Sequence, residues 1–200
     1  MVSEELPDLI VSDVDAWRRW LGAHQEASKG VWLVLAKKGT TEPTSLSYDQ
    51  ALDEALCQGW IDGLVRRRDE STYIQRFTPR RARSQWSARN VGIVATLTSQ
   101  GRMQPAGLSQ VERAKADGRW DAAYAGQASI EMPAELSAAL AATPRAQAMF
   151  EILTSQNRYA VLYRIASAKR PETRIRRLQE YVAMLDRGET IYPQKRTLER

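Results

Sequence analysis

Between Gly30 and Lys37-Lys38 lies the run Val31-Trp32-Leu33-Val34-Leu35-Ala36, the longest apolar stretch in the chain. A membrane-spanning helix needs about 20 such residues, so six cannot cross a bilayer. Their length and their β-branched and aromatic content predict a buried strand. Further along, residues 60–68 and 72–78 read as two more strands joined by a turn at Asp69-Glu70-Ser71, with Pro79 as the stop. Together these give a small antiparallel sheet of about three strands. A sheet that size is stable only with helices packed on it, so the rest of the chain must supply them.

Helical spacing supplies several candidates. Val14, Trp17, Leu21 and His24 share a face of a helix over 13–26, with Ser12 as its expected cap. Ser47-x-x-Gln50 is a capping box ahead of Tyr48, Ala51, Leu52, Ala55 and Leu56, and Gly59 can end that helix. Ser84 is the expected cap of a helix to about Gln100, and a shorter helix covers about 108–117. Beyond 133 the pattern is helical throughout, with Pro133, Pro144 and Pro171 suited to first helical positions. The expected class is therefore α+β with an all-helical C-terminal part. The expected division is 1–128 for the α+β domain, 129–190 for a helical subdomain and 191–200 for a frayed tail.

A chain of 200 residues can bury a full core without a metal or disulfide. The single cysteine, Cys57, excludes an internal disulfide, and with the single histidine, His24, it leaves no zinc cluster and no His-based relay. Cys57 in the last turn of a helix reads as an inert buried thiol, and His24 as a boundary residue. No cofactor or metal is expected. The N-terminus MVSEELPDLIVSD is acidic and does not read as a secretory signal, which makes the cytoplasm the expected compartment.

The net charge of +5 is unevenly spread. Residues 1–65 carry 5 basic and 11 acidic side chains, 66–89 carry 8 and 2, and 164–178 carry 6 and 1. Two basic zones suggest local anion contacts or pairing with the acidic N-terminal third. In the first zone, Asp62 inside a strand is costly unless paired. It reads either as a diagonal partner of Arg76 that fixes register or as a carboxylate facing a ligand. Arg80 and Arg81 before a helix start at Ser84, with Trp86 and Asn90 on that helix, read as an anion pocket with an apolar wall or as core packing and internal pairing. Lys37 reads as a contributor to the same mouth or as a solvated strand end. Trp60 and Tyr73 read as stacking surfaces or as core. In the second zone, Lys169, Arg170, Arg174 and Arg177 form a stripe that suits phosphate contact or a solvated helix face.

The runs ALDEALCQGWIDG (51–63), FTPRRARSQWSARN (77–90), GRMQPAGL (101–108), VERAKADGRWDAAY (111–124) and KRPETRIRR (169–177) carry a resemblance. Over about 17–188 the chain resembles the bacteriocin-protection, YdeI/OmpD-associated (OmdA) family. The resemblance implies a bacterial α+β protein with a helical C-terminal part and a role in tolerance of bacteriocins or antimicrobial peptides. Association with an outer-membrane porin is implied by the family name only. The positions that match include Trp60, Asp62, Gly63, Pro79, Arg80, Arg81, Ser84, Trp86, Asn90, Gly118, Trp120, Lys169, Arg174 and Arg177. The family supplies no catalytic residues to carry over.

Three functions are compatible with these features. The first is a non-catalytic binding protein for an anionic small molecule or an acidic protein segment, with its mouth at Arg80, Arg81 and Trp86. The second is a small enzyme that uses Asp62 with Tyr73 or Arg76 on an anionic substrate. The third, ranked last, is a weak nucleic-acid binder, because no reader motif is present.

Overall fold

The computed structural model describes residues 6–24, 27–126, 129–168 and 170–198. They divide into two compact units, Met1–Ala123 and Tyr124–Arg200. The first unit runs β1 (Asp8–Leu9), α1 (Val14–His24), β2 (Val31–Ala36), α2 (Tyr48–Cys57), β3 (Trp60–Arg67), β4 (Thr72–Pro79), α3 (Ala88–Ser99) and α4 (Pro105–Ala116). The class is the expected α+β with a helical C-terminal part.

The sheet has four strands in the order β1-β2-β4-β3. The extra strand, β1, comes from the arm before α1 and pairs with β2 in parallel, Asp8 opposite Trp32 and Leu9 opposite Leu33. β2 lies between β1 and β4, which explains why its whole length is apolar. Val31, Leu33 and Leu35 pack with Trp17 and Leu21 of α1, Ala51 and Ala55 of α2, and Phe77 of β4. Burying apolar surface at about 25 cal/mol per Å² removed from water, this layer stabilises the sheet against its helices. A second cluster forms where Leu52, Leu56 and Cys57 of α2 meet Val94, Leu97, Val111 and Ala114 of α3 and α4, with Trp86.

Three local readings need correction. Asp13 rather than Ser12 caps α1, because its Oδ1 accepts from the Ala16 amide at 2.8 Å. Ser87 rather than Ser84 caps α3 and accepts from the Asn90 amide at 3.1 Å. The β3–β4 register also slips. Arg67, Arg66 and Val65 face Tyr73, Ile74 and Gln75, as a turn at Asp69-Glu70 requires, but Asp62 faces Phe77 and Ile61 faces Thr78. An irregularity between Asp62 and Val65 absorbs one residue, as a β-bulge does. Asp62 is thereby moved off the expected diagonal to Arg76.

The second unit contains α5 (Ala134–Ala141), α6 (Pro144–Glu151), α7 (Ser155–Ala166) and α8 (Pro171–Asp186). Its core joins Leu136, Leu140, Met149, Phe150, Val161, Leu162, Ile165 and Leu185. The segment expected to fray is tied down as far as it is described. Buried Asn157 donates to the Tyr192 carbonyl at 3.0 Å and accepts from the Tyr192 amide at 2.8 Å. Ile191 and Leu198 pack on the same core. A satisfied buried amide outweighs the polar composition that suggested fraying.

Candidate functional site

Arg80 and Arg81 are neighbours with opposite fates. The Arg80 amide donates to the Gly59 carbonyl at 3.0 Å, which closes the end of the β3–β4 ladder. Its side chain is buried, with the guanidinium 3.5 Å from the centroid of the Trp86 ring. Trp86 is 2% exposed and meets Trp120 edge-on at 4.9 Å. The expected mouth at Arg80 and Trp86 is therefore an internal cation–π stack. Trp86 precedes α3 instead of lying one turn inside it. Asn90, the third residue of α3, is buried against the same layer.

Arg81 turns to an open hollow of about 870 Å³, whose lining also includes Asp62, Arg76, Thr78 and Ser84. The Gly30 turn and the arm at Leu6-Pro7 form the other side. Gly30 has φ +136°, and a Cβ there would meet Thr78 Cγ2 at 2.6 Å, so only glycine lets the turn come this close to β4. Ser84 shapes the loop at the rim, because its Oγ accepts from the Arg81 amide at 3.0 Å. Its carbonyl takes a hydrogen bond from Arg119 Nη1 at 2.7 Å.

Arg76 lies over Gly63 of the bulge. A Cβ at Gly63 would fall 2.9 Å from Arg76 Nε and 3.1 Å from Nη2, so the missing side chain makes room for the guanidinium. The Nε is buried without a hydrogen-bond partner. Among the described residues neither Arg76 nor Arg81 has a side-chain ion pair. By contrast, Arg18, Arg68, Arg89, Arg102 and Arg119 each meet a carboxylate.

Asp62 does not pair with Arg76 either. Its Oδ2 accepts from the Tyr48 hydroxyl at 2.9 Å. Burial, reinforced by the Asp62 charge, pushes the Tyr48 phenol up to about 12, so it stays a donor. Arg89 braces the phenol, with Nη1 3.3 Å from the Tyr48 oxygen and Nη2 donating to Asp49 at 2.8 Å.

Of the expected site residues, the fold thus gathers Asp62, Arg76, Arg81 and Ser84. It separates six others. Lys37, at the far end of β2 from Gly30, donates to the carbonyls of Asp69 at 2.7 Å and Glu70 at 3.1 Å and so clips the hairpin turn. Trp60 is 1% exposed and meets Trp17 and Trp20 edge-on. Tyr73 packs on the β2 core, where it faces Leu35. Arg80, Trp86 and Asn90 are buried as described. Ser28, Gly30 and Thr78 join the site without having been expected, and their convergence depends on the strand order.

A buried carboxylate was also missed. Glu54 is 3% exposed, and Arg18 grips it through Nε at 2.8 Å and Nη2 at 2.7 Å. Arg102 Nη2 adds a third contact at 2.7 Å. Burial alone would raise the Glu54 pKa, but the two guanidinium groups more than offset that and hold it below the ordinary value. The signal was present in ALDEAL, where Glu54 stands among four residues that proved buried. Cys57, beside it, is buried and its thiol is pushed up to about 11, first by burial.

In the second unit the basic stripe is largely spent on structure. Arg177 donates to the Arg164 carbonyl and so caps the end of α7, and Arg174 lies 3.6 Å from Glu135. Arg170 is the exposed N-cap of α8. Lys169 lies outside the described residues. No helix among the described residues is long and apolar enough to cross a membrane.

A mixed sheet with helices on its core face, an open hollow, and a second unit whose described residues form four helices define the class of protein. The chain belongs to the family described as a domain of unknown function (DUF8412), which matches residues 9–110, from β1 into α4. Residues 129–188, which hold α5 to α8, match the bacteriocin-protection, YdeI or OmpD-associated family, OmdA. The OmdA match is confined to the helical unit, a narrower span than the resemblance implied. No curated protein and no solved structure matches the chain.

Proposed function

We propose that the hollow binds an anionic small molecule, or an acidic segment of a partner protein, and that the chain is a non-catalytic binding protein. One observation carries this reading. Arg76 and Arg81 face a cavity of about 870 Å³ without a carboxylate partner among the described residues. A cavity of that size suits small ligands. Two guanidinium forks can grip a carboxylate or phosphate bidentately. The OmdA match suggests the cellular setting, tolerance of bacteriocins or antimicrobial peptides; in this reading the protein acts in the cytoplasm.

Thermal-shift screening of phosphorylated and carboxylated metabolites tests the reading. Hits should be lost in Arg76→Ala and in Arg81→Ala, while Arg80→Ala, which breaks the Trp86 stack, should lower the melting temperature without abolishing ligand response in the remaining folded protein. Hits that survive both Arg76→Ala and Arg81→Ala would refute it. A reaction at Asp62 assisted by Tyr73 finds no support, because Tyr73 packs into the core and takes no part in lining the hollow.

A further inference from the structure

We infer that the open edge of β3 takes an extended acidic segment of a partner protein as an added strand. This surface is separate from the hollow, and the inference does not rest on the anion-binding reading above.

β3 is an edge strand, with β4 on one side only. In an antiparallel pair every second residue turns its N–H and C=O away from its neighbour, so β3 offers a row of these groups at its free edge. Among the described residues, no backbone hydrogen bond from outside the sheet reaches residues 60–67. The Gly63 carbonyl accepts from Gln75 Nε2 of β4 at 2.7 Å, which holds the bulge. From there the strand is exposed to its end. Leu64 and Val65 are each 60% exposed. Arg66, Arg67 and Arg68 follow them.

Charges on an edge strand commonly keep other strands away. Here they disfavour a second copy, because two β3 edges side by side would bring like charges together. An acidic strand meets no such penalty. Arg68 is already engaged, with Nη1 3.1 Å from Thr72 Oγ1 and 3.6 Å from Asp69 Oδ2. Arg66 and Arg67 meet no carboxylate among the described residues. The register puts these two on opposite faces. Arg67 stands across from Tyr73, on the face of the β2 core. Arg66 stands across from Ile74 and lies 4.0 Å over the Trp32 ring on the other face. A small anion cannot reach both faces of a sheet at once. A strand laid along the edge can, because its own successive side chains alternate. The segment that fits carries two consecutive acidic residues across from Arg66 and Arg67, and apolar β-branched residues across from Leu64 and Val65. A nucleic acid fits poorly, since Trp32 is 5% exposed and offers a base no stacking surface.

The probe is a synthetic peptide of about eight residues with Glu-Glu-Val-Val at its centre, which matches β3 in antiparallel register. It is labelled with fluorescein and titrated into the full chain at low salt, with anisotropy as the readout. The peptide should bind. Arg66→Glu and Arg67→Glu should each weaken it about tenfold, because an attractive cross-strand pair becomes a repulsive one. Arg67 is exposed and away from Trp32, so Arg67→Glu should keep the wild-type melting curve. A peptide with Glu-Val-Glu-Val instead puts both acids on one face and should bind about tenfold more weakly. N-methylation of alternate peptide amides should abolish binding in one phase and spare it in the other, as only one edge of an added strand faces β3. No binding to the wild type, affinity unchanged in Arg67→Glu, or an equal response to the two methylation phases overturns the inference. So does a concentration-dependent dimer that protects the β3 amides from exchange, which would make a second copy the occupant. Arg81→Ala should leave peptide binding unchanged. Loss of binding there would place the peptide in the hollow, overturning this inference while leaving the anion-binding reading intact.

Discussion

Two helical glycines should respond oppositely to the same substitution. Gly107 is buried in the first turn of α4, pressed onto the C-terminal end of α2. An alanine Cβ there would fall inside contact of the Cys57 carbonyl oxygen and 2.8 Å from that of Leu56. Both obstacles are backbone, so no rotamer change relieves them. The helices must part by roughly an ångström to restore ordinary contact. That strains the Gln104 amide bond to the Cys57 carbonyl, now 3.1 Å, and loosens the packing of Val111 and Ala114 on Leu56. Overpacking costs about 1–3 kcal/mol, and a weakened hydrogen bond adds about 0.5–1.5 kcal/mol. The higher helix propensity of alanine offsets about 1 kcal/mol of this at most. Gly107→Ala should therefore destabilise by about 1–3 kcal/mol. Gly92, exposed on α3 with nothing within 4 Å of a new Cβ, keeps only the favourable part. Gly92→Ala should stabilise by about 0.5–1 kcal/mol. All six tryptophans lie in the first unit, so urea unfolding followed by tryptophan fluorescence reports that unit alone. A neutral or stabilising Gly107→Ala with an unchanged m-value would refute the account of the α2–α4 contact.

Glu54→Gln removes the charge gripped by Arg18 and Arg102. Because the Glu54 pKa is depressed in the folded state, its contribution is present above the ordinary carboxylate value and is lost as pH falls through the folded one. The variant should lose about 1–2 kcal/mol at neutral pH, discounted because Arg18 is half exposed, and its stability should fall less steeply in acid; parallel acid limbs would contradict this. Asn157→Ala should free the segment after Asp186, so that trypsin cuts at Lys195 and Arg196 much faster than in the wild type; an unchanged cleavage rate would show that Ile191 and Leu198 suffice to hold it. Gly63→Ala should displace the Arg76 guanidinium and weaken anion binding about tenfold, while stability changes by less than about 1 kcal/mol because the obstacle is a flexible side chain. Equal anion affinity in the two proteins would show that the Gly63 seat does not set the Arg76 geometry.

Much of the fold was legible because local chemistry and tertiary packing agree. The apolar run at Val31–Ala36 became the strand flanked by β1 and β4, and the Ser47–Gln50 box caps α2 through both reciprocal bonds. The misses occur where two local solutions were equally good. Ser12 and Asp13 are adjacent caps, and Ser84 and Ser87 are two serines three apart. The Arg80–Trp86 stack decides the second case, because it pulls the chain inward before a helix can begin. β1 has only two residues, too few for any periodicity, and its partners Trp32 and Leu33 are distant in sequence.

The site was harder to read for a related reason. Along β4, alternation puts Arg76 and Thr78 on one side of the sheet, and extending it would place Arg80 with them. The ladder ends at Pro79, however, and the chain turns where the Arg80 amide meets Gly59. That turn exchanges the fates of the next two residues, so Arg80 goes to the indole and Arg81 to the hollow. The sequence shows a basic, aromatic-rich segment in which both arginines read as one functional pair. They divide the work instead: one guanidinium anchors the end of the hairpin in an apolar layer, and that anchorage fixes the loop from which the other reaches the cavity. Arg76 completes the pair from within the strand, at the position where the bulge keeps it from closing on Asp62. A substitution at Arg80 therefore reaches the hollow only through the fold, whereas substitutions at Arg76 and Arg81 reach it directly.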